Sequence, residues 1–361
     1  MLSVRATAAV ALLAVLVALP APADAGDAKP ADAKPADAKP ADAKPAGCTL
    51  SGSTLPAIDT LIYDKADGGS AIARLTGAKV GLTASEFYAG GGDRVRIKTS
   101  ASTGAGGGTG TGGFRIEGFI DAKRLPVFTT KSVSVVKSHV MIAAQREVSV
   151  IEAGSGKLRV KRQVGSPFSQ AFTGWAECDA LALSASTPSG WSPAGNARAY
   201  VAKKDVELYD SGDDGRSLIT MLSPDSASDG IVLWSTESKG GWVHLLHHSD
   251  VVIDAWARAK DLKALPKGET QDSQPAATTR RVPPTLKLGG NANSATAPKD
   301  LEIRSSASDK GKVIGTLESG AEVYVLDIVA GWASVLPKVL NVAPHGDGQF
   351  WVKASSLGVS P

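Results

Sequence analysis

The segment Trp351-Val352-Lys353-Ala354-Ser355-Ser356-Leu357 reads as an aromatic, an apolar, a charged and a small residue, two variable positions and a leucine. The same order occurs three times upstream, at residues 119–125, 175–181 and 256–262. Alternation over the first four positions is typical of a half-buried strand, and a following turn would let the leucine close a core. Recurrence of one pattern predicts an internal repeat of small β-modules.

A second shared strand lies upstream of each closing segment. Its four versions begin at Arg94, Lys157, Trp242 and Trp332, and each has apolar residues at its second and fourth positions. A glycine precedes the last three, as expected for a β-hairpin turn. No stretch outside the first 25 residues has a sustained 3.6-residue apolar period. The sequence predicts an all-β fold of about four small barrels.

Pro-, Gly- and Ser-rich stretches mark the boundaries between the predicted modules. We expect a signal peptide (1–25), a Pro-rich linker (26–46), module 1 (47–130), module 2 (131–186), a linker (187–196), module 3 (197–266), a linker (267–298) and module 4 (299–361). Modules 1 and 2 lack a comparable linker between them. We therefore expect those two to be fused, with modules 3 and 4 attached through linkers.

The first 25 residues have the organisation of a secretory signal. Arg5 provides a positive start, residues 8–19 are apolar, and Ala23-Asp24-Ala25 fits a cleavage site. An uncleaved membrane anchor is the alternative, but the apolar core is short of the roughly 20 residues that span a bilayer. We expect an exported protein of the periplasm, cell envelope or extracellular space. We expect no transmembrane anchor in its mature chain.

A five-residue repeat, Asp-Ala-Lys-Pro-Ala, follows the signal and begins at Asp27, Asp32, Asp37 and Asp42. A proline at every fifth position opposes both helix and strand. The composition predicts an extended, disordered linker with polyproline II character. Its role is either a spacer that holds the folded part away from an envelope surface or a neutral tail.

Composition and charge exclude several classes of protein. The chain has 39 basic and 36 acidic side chains, and a net charge of +3 gives no indication of nucleic-acid binding. Its two cysteines are too few for a disulfide-knotted scaffold. In an exported chain an even number favours one disulfide, here Cys48–Cys178, which would join modules 1 and 2. A catalytic cysteine is the competing interpretation.

Module 4 resembles the bacterial SH3-like domain most clearly. The resemblance rests on Leu317-Glu318-Ser319-Gly320-Ala321-Glu322-Val323, Gly331-Trp332-Ala333-Ser334-Val335 and the closing segment quoted first. Module 3 is next, and modules 1 and 2 are degenerate versions. The resemblance implies tandem SH3-like barrels that bind peptidoglycan or peptides, or an envelope protein, at the cell wall.

The recurring tryptophans are candidate ligand contacts, because polyproline and glycan recognition both use exposed aromatic faces. Trp242 and Trp332 follow a hairpin glycine and begin a strand, so we predict that they line a binding groove. Trp256 and Trp351 occupy the recurrent closing position and are expected to be structural.

His244, His247 and His248 are the densest group of potential metal ligands, with Asp250 and Asp254 nearby. Imidazole and carboxylate groups suit zinc or a related ion. Strand alternation places His244 on the face opposite Val243, and we expect His247 and His248 to fall in a turn. Solvated loop histidines are the alternative.

No catalytic or cofactor signature accompanies these residues. Residues 108–113 match G-x-G-x-x-G, but Phe114-Arg115-Ile116-Glu117 then alternates like a strand, whereas a dinucleotide fold needs a helix there. We expect no cofactor and no enzymatic activity. The leading hypothesis is an exported binding or scaffolding protein of the envelope. The alternatives are an enzyme or inhibitor with its site in the insertions, such as His244–Asp254, and a purely structural surface protein.

Overall fold

Antiparallel β-strands make up almost all of the regular structure in the described part of the chain. The computed structural model describes residues 48–77, 79–87, 94–100, 113–165, 168–186, 190–213, 215–221, 231–267, 288 and 293–360. The expected signal peptide and the Pro-rich linker at 26–46 lie outside these residues. Within them, no helix combines the length and apolarity needed to cross a membrane. The all-β fold class is confirmed.

The strands fall into four successive sets. Module 1 contains β1 (Leu50–Thr54), β2 (Thr60–Tyr63), β3 (Ala71–Leu75), β4 (Val80–Ser85), β5 (Arg94–Ser100), β6 (Phe114–Asp121) and a 3-10 turn (Ala122–Arg124). Module 2 contains β7 (Val127–Thr129), β8 (Val133–Val136), β9 (Val140–Ile142), β10 (Glu147–Gly154), β11 (Lys157–Val164), β12 (Gln170–Glu177), a 3-10 turn (Cys178–Ala180) and β13 (Leu181–Ala182). Module 3 contains β14 (Arg198–Ala202), β15 (Val206–Tyr209), β16 (Ser217–Met221), β17 (Leu233–Lys239), β18 (Trp242–His248), β19 (Val251–Arg258), a 3-10 turn (Ala259–Asp261) and β20 (Leu262–Ala264). Module 4 contains β21 (Asn293–Thr296), β22 (Leu301–Arg304), β23 (Val313–Leu317), β24 (Glu322–Val329), β25 (Trp332–Pro337), β26 (Val342–Pro344), β27 (Phe350–Lys353) and α1 (Ala354–Leu357).

The four sets share one pairing plan. The first strand of a set pairs with the fourth, and the second pairs with the third. The fourth strand pairs with the fifth, and the fifth pairs with the last long strand, which is β6, β12, β19 or β27. Hydrogen bonding joins these strands into a 13-stranded, a 9-stranded and a 5-stranded antiparallel sheet, and none of the three closes on itself.

The closing segment has the same local structure in every module. Its small residue begins a one-turn helix each time. In modules 2, 3 and 4 the backbone N–H of that residue donates to the carbonyl of the hairpin glycine, Gly156, Gly241 or Gly331. The leucine that ends the pattern is buried in all four modules, which agrees with the expectation that it closes the core.

Cys48 and Cys178 form a disulfide, with their Cα atoms 5.2 Å apart. The bond joins the residues before β1 to the one-turn helix after β12. It therefore links module 1 covalently to module 2, as predicted from the cysteine count and positions.

Strands of different modules also pair with one another. In module 4, β23 pairs with β6 through Leu317–Phe114 and its two neighbouring residue pairs, and β26 pairs with β3. Between modules 2 and 3, β9 pairs with β19. Residues Lys44–Pro361 thus form one unit. Modules 3 and 4, expected to be attached through linkers, also pair directly with modules 2 and 1, because a strand edge left open in one module is hydrogen-bonded by another.

Two strands fall outside the module boundaries predicted from composition. β7 precedes the expected start of module 2 but pairs with β10 and β13. β21 precedes the expected start of module 4 but pairs with β24. Both are first strands of the module that follows, and each is too short to stand out in the sequence as an alternating run.

Candidate functional site

The closing aromatics face outward in all four modules. The next residue along each strand, Ile120, Ala176, Ala257 or Val352, is buried in the core. Because side chains alternate across a strand, the preceding aromatic must lie on the opposite face. Phe119, Trp256 and Trp351 are half-buried there, and Trp175 is 45% exposed.

Trp175 lies on the outer face of β10, β11 and β12. It stands opposite Arg159 on β11, and Arg159 stands opposite Glu152 on β10. Its indole packs over Gly154, where a Cβ atom would lie 3.0 Å from the ring. The indole is therefore supported from beneath by the sheet and remains exposed to solvent above it. We call this surface, formed by Trp175, Arg159, Glu152, Lys157 and Glu177, the Trp175 face.

A short loop explains why Trp175 is uncovered. In module 3 the loop between the second and third strands places Gly212 against the equivalent Trp256, and a Cβ atom on Gly212 would lie 2.6 Å from that ring. His244 stacks on Trp256 with ring centroids 4.9 Å apart. In module 2 the same loop is only residues 137–139, between β8 and β9. It is too short to reach over Trp175.

Charged side chains surround Trp175 and pair with each other. Arg159 lies 3.2 Å from Glu152, and Lys157 lies 2.6 Å from Glu177. These exposed ion pairs contribute little to stability. They leave charged hydrogen-bonding groups of both signs beside one exposed indole.

Trp242 and Trp332 do not line a groove, in contrast to the prediction. They are 8% and 7% exposed, respectively. Each begins the strand after a hairpin turn and lies opposite a cation, Arg258 or Lys353. The guanidinium of Arg258 lies 4.9 Å from the Trp242 ring centroid, and the Tyr209 ring makes a T-shaped contact with Trp242 at a centroid distance of 5.0 Å. A cross-strand cation thus lies over each tryptophan expected to be open, with Lys353 Nζ 5.8 Å from the Trp332 ring centroid, and Tyr209 packs on Trp242 as well.

His247 and His248 lie within β18, not in the turn expected from the sequence. His247 points inward and is buried. Its Nδ1–H donates to the Val232 carbonyl at 3.1 Å, which leaves Nε2 to accept from the Ser249 hydroxyl at 2.8 Å. Burial lowers the pKa of His247 to about 4, and the bond to the Val232 carbonyl opposes that shift. His247 is therefore neutral at physiological pH.

His244 and His248 lie on the opposite face of β18 from His247. His244 Nε2 lies 2.5 Å from Asp254 Oδ1, and His248 stacks flat on Trp191 with ring centroids 4.6 Å apart. Strand alternation thus prevents the three histidines from meeting at one point. Among the described residues, no group of three or more histidine, cysteine or acidic side chains could hold a metal ion.

Asp250 belongs to an ion-pair cluster between modules 2 and 3. Its two carboxylate oxygens lie 2.8 Å from Arg146 Nε and 2.6 Å from an Arg162 nitrogen. The Arg146 side chain is only 2% exposed and also donates to the Ser249 carbonyl. Sequence reasoning missed Arg146, since nothing in its local pattern distinguishes a buried arginine from a solvated one.

The glycine-rich stretch at 108–113 lies outside the described residues except for Gly113. The strand β6 begins immediately after it, as the alternation of residues 114–117 predicted. The Gly113 N–H and the Arg115 side chain both bond to Glu318 of module 4. The described end of this stretch therefore takes part in the contact between modules 1 and 4.

No family model, curated protein or solved structure matches the chain.

Among the aromatic side chains described, Trp175 is the one with the largest exposed fraction, and the sequence reasoning did not single it out. The available signal was the narrow spacing of the early strands in module 2, which leaves no loop long enough to cover a closing tryptophan.

Proposed function

We propose that the protein is an exported, non-enzymatic binding or scaffolding protein of the cell envelope, composed of four SH3-like modules, and that the Trp175 face contacts its ligand. The observation that carries this proposal is the exposed, sheet-supported indole of Trp175 beside Arg159 and Glu152. Because the Trp175 indole is held against a β-sheet, its position is fixed before a ligand binds.

The chemistry of the Trp175 face suits a ligand with both apolar and polar surfaces. A rigid indole gives a large contact area at little entropic cost, and tryptophan is enriched among residues that dominate binding energy. The adjacent carboxylate and guanidinium groups offer directed hydrogen bonds. Peptidoglycan, with sugar rings and short charged peptides, presents both kinds of surface.

Two features support an exported location. The Cys48–Cys178 disulfide belongs to an oxidising compartment, because cytosolic thiols are kept reduced. The first 25 residues have the sequence organisation of a secretory signal.

Co-sedimentation with purified peptidoglycan sacculi tests the proposal. We expect the wild-type protein to sediment with the sacculi and Trp175→Ala to bind about tenfold or more weakly, as for a dominant aromatic contact. Leu326→Ala is the matched control, because Leu326 is a comparably exposed apolar residue, at 48%, on module 4. Failure of the wild-type protein to sediment, or equal retention of Trp175→Ala, would contradict the proposal.

A further inference from the structure

The outer edge of the third strand is occupied in three of the four modules. The edge of β3 carries β26, the edge of β9 carries β19, and the edge of β23 carries β6. Each occupant comes from a different module and runs antiparallel to the strand it joins. The equivalent strand of module 3, β16, is the last strand of its sheet, with no further strand paired to it among the described residues.

The residue pairing between the second and third strands of each module identifies equivalent positions on these edges. Met221 pairs with the first residue of β15, just as Leu75, Ile142 and Leu317 pair with the first residues of β2, β8 and β22. Two positions earlier, Ile219 corresponds to Ala73, Val140 and Gly315. Those three, each paired with an added strand, are buried, whereas Ile219 is only half-buried. The apolar surface around Ile219 is therefore incompletely covered.

The backbone of β16 also has bonding capacity at its outer edge. The Thr220 carbonyl accepts a long hydrogen bond, 3.5 Å, from the side-chain amide of Gln170 on β12. It therefore points away from β15. In an antiparallel strand the N–H and C=O of one residue point to the same side, so the Thr220 N–H points outward too. The side-chain amide of Gln170 thus occupies, beside Thr220, a position that the backbone of an added strand occupies in the other modules.

We propose that the outer edge of β16, centred on Thr220, is a docking site for an extended segment of a partner protein, which adds to the sheet as an antiparallel strand. Strand addition gives affinity through main-chain hydrogen bonds and selectivity through alternate side chains. The site lies on module 3 and does not involve Trp175. It goes beyond the proposed function, and failure of sacculus binding would leave it standing.

The strands already seated on equivalent edges show the chemistry of the partner segment. The residues opposite the Met221 equivalents are Val342, Val251 and Phe114. The residues opposite the Ile219 equivalents are Pro344, Ile253 and Ile116. All six are apolar, and the residue between them varies. We therefore expect a segment of the form apolar-x-apolar, with its first apolar residue opposite Met221 and its second opposite Ile219.

A fluorescent peptide with the sequence of residues 112–118, which contains Phe114-Arg115-Ile116, is a suitable probe. Anisotropy with the intact protein should show saturable binding. A peptide N-methylated at Arg115 should bind at least about tenfold more weakly, because it lacks the central N–H that bonds to the edge. This comparison uses the wild-type protein and does not depend on the folding of a variant.

Two substitutions at one position provide the matched test on the protein. Thr220→Pro removes the outward N–H, and proline is tolerated where a strand N–H faces solvent. Thr220→Val keeps that N–H. We expect Thr220→Pro to weaken peptide binding about tenfold or more, and Thr220→Val to bind like the wild type.

Three outcomes would overturn the proposal. One is the absence of peptide binding at millimolar concentration. Another is equal affinity of the Thr220→Pro and Thr220→Val variants. The third is a concentration-dependent dimer in light scattering that Thr220→Pro abolishes, since that result would assign the edge to a second copy of the chain.

Discussion

At the scale of single residues, Trp175 and Trp256 occupy the same position of the recurring pattern but have different surroundings. Gly212 and His244 lie against the faces of Trp256, whereas Trp175 has Gly154 beneath it and solvent above. The sequence pattern assigns both to an outward strand position, yet exposure depends on loop length and cross-strand neighbours. This is why the prediction that Trp242 and Trp332 are the open tryptophans was wrong.

His247 makes the stability of the fold depend on pH. In the folded protein its pKa is about 4, whereas in the unfolded chain it is near 6.5. Between these two pH values the unfolded chain binds more protons than the folded protein does. The stabilisation that neutral His247 gives the folded protein is therefore complete above about pH 6.5 and is lost as the pH falls toward 4. The difference between the two pKa values corresponds to about 3 kcal/mol of unfolding free energy.

Urea unfolding at several pH values should show that the free energy of unfolding of His247→Gln falls less over this range than that of the wild type. His345→Gln, at an exposed site, should retain the wild-type slope; equal slopes in all three proteins would contradict the assignment.

Asp250 balances two arginines, and its removal should be costly. Asp250→Asn leaves the buried Arg146 guanidinium without its counter-charge. We expect the free energy of unfolding to fall by about 2–4 kcal/mol, somewhat below the range for fully buried pairs because Asp250 is partly exposed. Asp179→Asn breaks an exposed pair with Lys131 and should cost about 0–1 kcal/mol. Similar losses in the two variants, measured by urea unfolding, would argue against a structural role for the Asp250 cluster.

At the scale of elements, the hairpins and closing strands were predictable because their signals are local. Alternation identified the strands around Ile97, Val160, Leu245 and Val335, and glycine marked the turns before three of them. The turn before β25 holds Ala330 and Gly331 at φ values of 49° and 82°, and the turn before β18 holds two glycines at positive φ. Short strands such as β7 and β9 were not predictable, since three residues carry too little periodicity.

The hairpin glycines can be tested for backbone strain alone. A Cβ atom on Gly331 would meet nothing within 4 Å, so the cost of Gly331→Ala is the left-handed conformation itself. We expect a loss of about 1–2 kcal/mol in the free energy of unfolding. Gly195 has equally open surroundings without a positive φ, and Gly195→Ala should be neutral or stabilise by up to about 1 kcal/mol. Equal effects of the two substitutions on thermal unfolding would refute this explanation.

At the scale of the whole described unit, module 1 is joined to module 4 and module 2 to module 3. The exchange between modules 1 and 4 is reciprocal, because the third strand of each pairs with residues at or before the closing strand of the other. Asp64 of module 1 also bonds to Lys312 of module 4 at 2.9 Å. The repeat pattern could not predict these contacts between modules. It indicates which face of a strand is buried, but not which distant strand pairs with its edge.

Gly315 provides a direct test of the contact between modules 1 and 4. A Cβ atom at this position would lie 2.0 Å from the Arg115 carbonyl oxygen, so Gly315→Ala forces β23 away from β6. We expect faster amide hydrogen exchange in peptides that cover residues 114–117 and 313–317, and unchanged exchange where β9 meets β19. The increase in exchange should be confined to β6 and β23, because modules 2 and 3 pair through β9 and β19, which do not pair with the strand that holds Gly315. Gly195→Ala, at an open site, controls for the added methyl group. Unchanged exchange in β6 would show that the pairing of β23 with β6 does not protect that strand.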